Sequence, residues 1–208
     1  TRCAIDGWRI DAADQVHHEF WRLLRRTVKE CNPQALIVGE IWNDASAYLE
    51  GDQFDTVMNY PFMQAAVGFV RDGELSAEDF VRAAGVTHAR YRNGPAGIVW
   101  NHLATHDTRR YLAGDQSERD SLFAAVALQL CWPGVPFIYY GEECGMRADK
   151  RHSRGGMWWD KDRIDHAVLG FYREMIGLRK RYRALSRGNC RVIRAASGLL
   201  HFRREYAG

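Results

Sequence analysis

The sequence predicts an α/β fold built from parallel βα units. Two observations carry this prediction: short apolar runs alternate with longer amphipathic ones along the 208 residues, and acidic residues follow several of the short runs. The alternation fits either an open doubly wound sheet or part of a (βα)8 barrel, because both folds place parallel strands inside a layer of helices. A whole barrel needs about 250 residues, so this chain is expected to hold only a part of one.

The predicted elements follow one another in a regular order. The strand candidates are the apolar runs at 3–10, 35–42, 54–60, 96–107 and 134–141. Helices are predicted where apolar residues recur at helical spacing, at 17–31, 61–70, 76–91, 117–131 and 166–182. Ser76 and Ser117 are the expected N-caps of the third and fourth helices. A β-hairpin with its turn at Ser197 and Gly198 is expected at 190–206.

The composition excludes several classes of protein. Hydrophobic residues make up 46% and charged residues 26%, which is typical of a globular chain, and the net charge of +3 predicts no nucleic-acid or membrane-surface partner. No apolar run reaches the roughly 18 residues that a membrane-spanning helix needs. The five cysteines are widely spaced, which argues against a zinc site or disulfide framework and favours a reducing, cytoplasmic compartment. No His, Asp or Glu set has metal-ligand spacing, so no metal site is expected within the chain.

Three of the predicted strands end on or near an acid. The first strand ends at Asp11, the second at Glu40, and the fourth at Asp107, where His106 precedes it. A helix N-cap is the alternative interpretation for each acid taken alone. In parallel α/β folds, however, the active site lies at the carboxyl ends of the strands, so three acids at equivalent positions favour one shared site.

The neighbours of these acids predict two different protonation states. Arg9 lies two residues before Asp11 on the same strand, so both side chains project to one side, and a nearby cation keeps a carboxylate ionised. Glu40 is flanked by apolar segments, which favour the protonated carboxyl that a general acid requires. One ionised carboxylate beside one protonated carboxyl is the arrangement of glycoside hydrolysis, and a third acid can stabilise a cationic transition state.

Four ordered motifs resemble those of the α-amylase superfamily, glycoside hydrolase family 13. They are GWRIDAADQV, VGEIWND, NHLATHD and GVPFIYYGEECGM, and the segment YLEGDQFDTVMNYPF is similar to the branch of cyclomaltodextrinases, neopullulanases and maltogenic amylases. The resemblance implies the C-terminal portion of a (βα)8 TIM barrel, about strands 4–8, at residues 1–184. It implies the first strands of an antiparallel β domain at residues 185–208.

The resemblance also implies roles for the residues at the strand ends. Asp11 matches the catalytic nucleophile and Glu40 the acid/base. Asp107 matches the third acid, which holds the sugar being cleaved. Arg9 matches the arginine that orients the nucleophile, and His106 the histidine that hydrogen-bonds the same sugar.

Four more positions match substrate-binding or supporting residues of the family. Trp42 matches an aromatic residue that stacks on a glucose ring, and Arg110 an arginine that supports the third acid. Asp14 and Gln15 occupy the acceptor-side positions where the branch carries Asn-Glu, so the charged position is exchanged here.

The last loop departs from the family. Gly141-Glu142-Glu143 replaces the family's Gly-Asp-Glu, and the usual cysteine-bearing stretch of the loop is absent. Trp158 and Trp159 either line the substrate groove or anchor this loop.

The function implied by the resemblance is hydrolysis of α-1,4-glucosidic bonds in cyclodextrins, maltooligosaccharides or pullulan with retention of configuration. No cofactor is required, although calcium is possible in the full-length protein. One alternative is a non-catalytic glucan-binding or partner-subunit relative, and another is an α-1,6-glucosidase or transglycosylase of the same superfamily. By resemblance the chain begins at the fourth barrel strand, and such an open edge predicts self-association or homo-oligomers and weak or absent activity of the chain alone.

Overall fold

The computed structural model describes residues 4–90, 98–114, 116–196 and 198–207. Five short strands alternate with helices, which confirms the α/β prediction; they are β1 (Gly7–Ile10), β2 (Leu36–Gly39), β3 (Thr56–Val57), β4 (Trp100–Asn101) and β5 (Val135–Pro136). Parallel pairing joins β1, β2 and β3 in one sheet and β4 and β5 in another. A parallel bridge between Met58 and Trp100 connects the two sheets, so the strands lie side by side in chain order. A doubly wound sheet reverses its order at a switch point, whereas barrel strands follow one another in this way.

The helices also agree with the predicted order. They are α1 (His18–Cys31), α2 (Tyr60–Val70), α3 (Ala77–Arg90), α4 (Gln116–Cys131), α5 (His166–Arg181) and a short α6 (Arg183–Arg187) that the sequence did not predict. Ser76 caps α3 as expected, because its hydroxyl accepts from the Asp79 N–H while the Asp79 carboxylate accepts from the Ser76 N–H. Ser117 is not a cap, since α4 already begins at Gln116. Within the described residues, no helix is long and apolar enough to cross a membrane.

The predicted hairpin is confirmed as β6 (Asn189–Ala196) paired antiparallel with β7 (Leu199–Glu205). Of the two expected turn residues, Gly198 has a left-handed φ of 78°, which suits glycine, and Ser197 lies outside the described residues. The hairpin packs against the helical layer through Phe202. Its ring makes a T-shaped contact with Trp132, with the ring centroids 5.2 Å apart. Trp132 in turn meets Phe80 of α3 at 4.9 Å, so the hairpin joins the main hydrophobic core.

The α1 helix covers the other end of the sheet. Trp21 is buried there, and the centroid of its ring lies 5.3 Å from that of Phe54. The indole N–H of Trp21 donates to the Ala13 carbonyl at 2.8 Å, which fixes the turn that follows β1 against the helix. The packing of α1 therefore positions the backbone just beyond Asp11.

Buried amides support the strands β4 and β5, which have only two residues each. The Asn101 side chain accepts from the Asn59 amide and donates to the Pro133 carbonyl, both at 2.8 Å. Gln129 of α4 donates to the carbonyls of Asn101 and Phe137. The Pro133 and Phe137 carbonyls thus receive side-chain donors, and the Asn101 carbonyl receives a second donor besides the Phe137 N–H.

Two arginines fasten the hairpin and α5 to the C-terminal end of α4. Arg179 donates to the Leu130 carbonyl at 2.7 Å, the Leu185 carbonyl at 2.8 Å and the Gly134 carbonyl. Arg204 of β7 donates to the Cys131 carbonyl at 2.6 Å. Cations at a helix C-terminus are favourable because the last carbonyls carry partial negative charge.

We predict that Arg179→Met lowers the free energy of unfolding by about 3 kcal/mol, because three carbonyls lose their charged donor while methionine keeps the packing of the stem. Urea denaturation measures the change. The matched control is Lys180→Met on the exposed face of the same helix, for which we expect a change within about 0.5 kcal/mol. Equal unfolding midpoints for the two variants would contradict the stabilising role of Arg179.

Candidate active site

Two of the predicted acids lie beside each other at the carboxyl ends of neighbouring strands. Asp11 directly follows β1 and Glu40 directly follows β2. The parallel register pairs Ile10 with Gly39, so the two acids leave the sheet at the same level. The structure therefore brings Asp11 and Glu40 together, as the sequence predicted from their positions.

Arg9 contacts both of these carboxylates. Its Nη1 forms a hydrogen-bonded ion pair with Asp11 Oδ1, and its Nη2 lies 3.0 Å from Glu40 Oε1. The hydrogen bond and the charge of Arg9 lower the pKa of Asp11 below its ordinary value, and the side chain of Asp11 is 80% exposed. Asp11 is consequently an ionised carboxylate that a ligand can reach.

Glu40 is buried, at 4% exposure, but its surroundings are not simply apolar. The Ala12 N–H donates to Oε2 at 3.0 Å, and the Tyr60 hydroxyl donates to Oε1 at 3.1 Å. The apolar wall expected from the flanking residues is thus only partly found, because those residues pack away from the carboxyl: Ile41 belongs to the cluster beneath α1. Burial and polar donors act on Glu40 together.

Tyr60 was not among the predicted site residues, because in the sequence it stands where a strand candidate meets a helix. It is the first residue of α2 and is completely buried. The Trp42 ring stacks on it with centroids 4.0 Å apart, and the edge of the His102 ring faces it at 4.6 Å. Tyr60 therefore connects Trp42 to Glu40, because its ring stacks on Trp42 and its hydroxyl donates to Glu40.

A cavity of about 530 Å³ opens beside Trp42. Its walls include Pro61 and Gln64 of α2 and Arg82 and Val86 of α3. A half-buried indole at the mouth of a mixed polar and apolar cavity offers a flat surface for a ring-shaped ligand.

Asp107 and His106 form the second part of the site. The His106 Nε2 lies 3.0 Å from Asp107 Oδ2, and Arg154 donates to Asp107 Oδ1 at 2.7 Å. Arg154 also donates to the His106 carbonyl, as does the Ser153 hydroxyl at 3.0 Å. Sequence reasoning missed Arg154 because it lies in the last loop, far along the chain from the acid that it contacts.

Arg110 does not contact Asp107 in the way that the resemblance implies. It is completely buried, and its Nη1 donates to the Tyr140 carbonyl at 2.6 Å. Its guanidinium lies over the rings of Tyr139 and Tyr140, at 4.5 and 4.8 Å from their centroids. Arg110 therefore supports the segment after β5 and has no exposed atom to offer a sugar, while Arg154 makes the contact with Asp107.

The remaining predicted residues lie on the rim. Asp14 and Gln15 form part of a 3-10 turn, Ala13–Gln15, and the Gln15 amide donates to Asp14 Oδ1 at 3.1 Å. Trp159 is 83% exposed, whereas Trp158 is covered by the guanidinium of Arg163 at 4.4 Å. In the last loop, then, Trp158 has the contact of an anchor and Trp159 is free to meet a ligand.

The part of the chain that the structure describes contains no set of side chains that fits a calcium ion. No group of three or more His, Cys, Asp or Glu side chains there could hold a metal ion.

The loop after β5 is tied to the segment after Asp107 by a buried carboxyl. Glu142 is 5% exposed and accepts from the Tyr111 N–H at 3.0 Å. Burial raises the pKa of Glu142 to about 7 from an ordinary 4.5. Its ionised form is therefore less favourable in the folded chain than in the unfolded chain.

We predict that ionisation of Glu142 lowers the free energy of unfolding by roughly 3 kcal/mol as pH rises. Since the folded pKa of about 7 exceeds the unfolded 4.5, the contribution is fully present below pH 4.5 and is lost as pH rises through about 7. Glu142→Gln removes this loss, so the variant gains on the wild type between about pH 5 and about pH 8 in guanidinium denaturation. Glu174→Gln on the exposed face of α5 is the control. A parallel pH dependence for wild type and Glu142→Gln would refute this assignment.

Comparisons with known proteins place this geometry in a family. A family model described as "Alpha amylase, catalytic domain" matches residues 1–162. Neopullulanase 2 of Thermoactinomyces vulgaris is 46% identical over 190 residues, which cover 90% of this chain and 32% of that protein. A cyclomaltodextrinase of Thermoanaerobacter pseudethanolicus is 37% identical, with 98% of this chain and 36% of that protein covered.

A solved structure of a cyclomaltodextrinase is similar over nearly the whole chain. It superposes with a TM-score of 0.92 at 38% identity, covering 97% of this chain and 35% of that one. The chain thus spans about a third of the length of the curated relatives that it matches.

Proposed function

The chain belongs to the alpha-amylase catalytic-domain family, and from that premise we propose that it carries the catalytic residues of a retaining glycoside hydrolase. The observation that supports this most is the sharing of one guanidinium between two carboxylates in different environments. Asp11 is exposed and Glu40 is buried, and Arg9 contacts both. Glycoside hydrolysis with retention needs such a pair, one acting as nucleophile and the other as acid and base.

In the proposed mechanism, Asp11 attacks the anomeric carbon and forms a glycosyl ester. Glu40 gives its proton to the leaving glycosidic oxygen as the bond to carbon breaks, and afterwards takes a proton from the water that hydrolyses the ester. Arg9 keeps Asp11 ionised and directed toward the sugar, in agreement with the lowered pKa of Asp11. Asp107 and His106 hold the hydroxyls of the sugar being cleaved.

We propose α-1,4-glucans as substrates: cyclodextrins, maltooligosaccharides or pullulan. The names of the relatives, neopullulanase and cyclomaltodextrinase, support this class. Trp42 supplies a stacking surface and the adjoining cavity supplies space on the acceptor side. A non-catalytic, glucan-binding role is less well supported, since Asp11, Glu40 and Asp107 are all present with their polar partners.

We further propose that residues 1–184 correspond to about strands 4–8 of a (βα)8 barrel and residues 185–208 to the start of a β domain. The sequential parallel order of β1 to β5 and the antiparallel hairpin support this division. Among the described strands β1 has a neighbour on one side only, and we propose that its other edge pairs with further β structure, in this protein or in a second copy. The four described cysteines are free, which supports a cytoplasmic location.

We predict that Asp11→Asn and Glu40→Gln, made in the complete encoded protein, each lower kcat/KM for β-cyclodextrin by about a thousandfold or more, because each removes a group used in the transition state. Reducing-sugar release measures the rate, and NMR of the fresh product is expected to show retained α configuration. Asp120→Asn, on the exposed face of α4, is the control and keeps normal activity. Inverted product, or an Asp11→Asn variant with wild-type turnover, would exclude the proposed mechanism.

A further inference from the structure

Two hydrogen-bond donors and one cation lie against the carboxyl of Glu40, and they are not divided equally between its oxygens. The Tyr60 hydroxyl donates to Oε1 at 3.1 Å, and Arg9 Nη2 lies 3.0 Å from the same atom. Oε2 has the Ala12 N–H alone, at 3.0 Å. A carboxylate offers about two acceptor sites on each oxygen. Oε1 faces a hydroxyl donor and the charge of Arg9, whereas Oε2 faces one amide N–H and has one site left.

We propose that Tyr60 is a positioning residue for Glu40 and that it fixes which oxygen carries the transferable proton. Because the Tyr60 hydroxyl donates to Oε1 and the Arg9 guanidinium lies 3.0 Å from it, a proton on that oxygen would meet a hydroxyl donor and a cation. The proton therefore sits on Oε2, in the site that Ala12 leaves open. As the glycosidic bond breaks and its electron pair passes to the leaving oxygen, that oxygen takes this proton and Glu40 becomes a carboxylate.

The surroundings of Tyr60 suit a fixed donor. Trp42 covers one face of its ring at 4.0 Å and 16°, and the His102 ring meets it edge-on at 4.6 Å. Its backbone is the first turn of α2, where the capping residue Asn59 is hydrogen-bonded to Asn101 of β4 at 2.8 Å. The hydroxyl consequently has little freedom to leave Glu40.

The Tyr60 hydroxyl also keeps its proton. Burial, with the nearby charges of Glu40 and Asp107 adding to it, raises the pKa of Tyr60 well above its usual 10. Tyr60 therefore donates to Glu40 when that carboxyl is protonated and when it is ionised, so Oε1 is occupied in both halves of the reaction. This inference rests on the proposed role of Glu40 as acid and base.

Tyr60→Phe in the complete encoded protein tests the proposal, because it removes one hydroxyl and keeps the ring between Trp42 and His102. We expect kcat/KM for maltotriose to fall about five- to tenfold and the acidic and basic limbs of the pH–rate profile to move. We expect kcat/KM for α-maltosyl fluoride to stay within about twofold, because kcat/KM reports the steps up to ester formation and fluoride leaves without a proton. Tyr111→Phe is the matched control. It also removes a buried tyrosine hydroxyl, but that hydroxyl is bonded to Ser121 at 2.9 Å.

An equal loss on both substrates, or no loss on maltotriose, would overturn the positioning role. Glu40→Gln separates this result from failure of the proposed function: if that variant keeps full turnover of maltotriose, Glu40 is not the acid, whatever Tyr60 does. An infrared difference spectrum provides a readout that needs no turnover. The carboxylate stretch of Glu40, identified by its absence in Glu40→Gln, is expected to shift in Tyr60→Phe, and an unshifted band would refute the contact.

Discussion

The site depends on one electrostatic constraint: two carboxylates at the ends of adjacent strands share the guanidinium of Arg9. When both are ionised, two like charges at about 5 Å, the separation typical of a retaining pair, repel by about 3 kcal/mol at an effective dielectric constant near 20. Arg9 offsets this repulsion because it contacts Asp11 with one nitrogen and Glu40 with the other. Its location on β1, two residues before Asp11, makes the contact possible, since alternate residues of a strand project to one side.

The sheet that carries this arrangement is held mainly by what lies around it. Strands β3, β4 and β5 have two residues each, which is too short for a ladder to stabilise alone. Helix α2 packs against β4 and α4 against β5, while Val57 of β3 belongs to the cluster beneath α1. The buried side-chain amides of Asn59, Asn101 and Gln129 add hydrogen bonds between these elements. The face that carries the candidate site is thus positioned by helix packing and buried hydrogen bonds as much as by strand pairing.

Local patterns predicted the elements and the strand-end acids, because hydrophobic periodicity and strand ends are properties of short segments. Local patterns do not predict contacts between segments that lie far apart in the sequence. Arg154 meets Asp107 across 47 residues of chain, and nothing in the sequence of the last loop separates it from the other basic residues there. For Arg110, the motif predicted a contact that the structure does not show. The motif indicated that Arg110 supports Asp107, whereas the buried guanidinium lies against Tyr139 and donates to the Tyr140 carbonyl after β5.

The backbone beyond β1 shows how firmly the two acids are coupled. Ala12 adopts a left-handed conformation, with φ 43° and ψ 48°, which costs a residue with a Cβ about 1–2 kcal/mol. This turn directs the Ala12 N–H to Glu40 Oε2 and the Ala13 N–H to the Glu40 carbonyl, at 3.0 and 3.1 Å. The strain is therefore offset by two hydrogen bonds to the residue that follows the next strand. Because these bonds begin directly after Asp11, the exposed carboxylate and the buried one cannot shift independently, and their separation is set by the backbone as well as by Arg9.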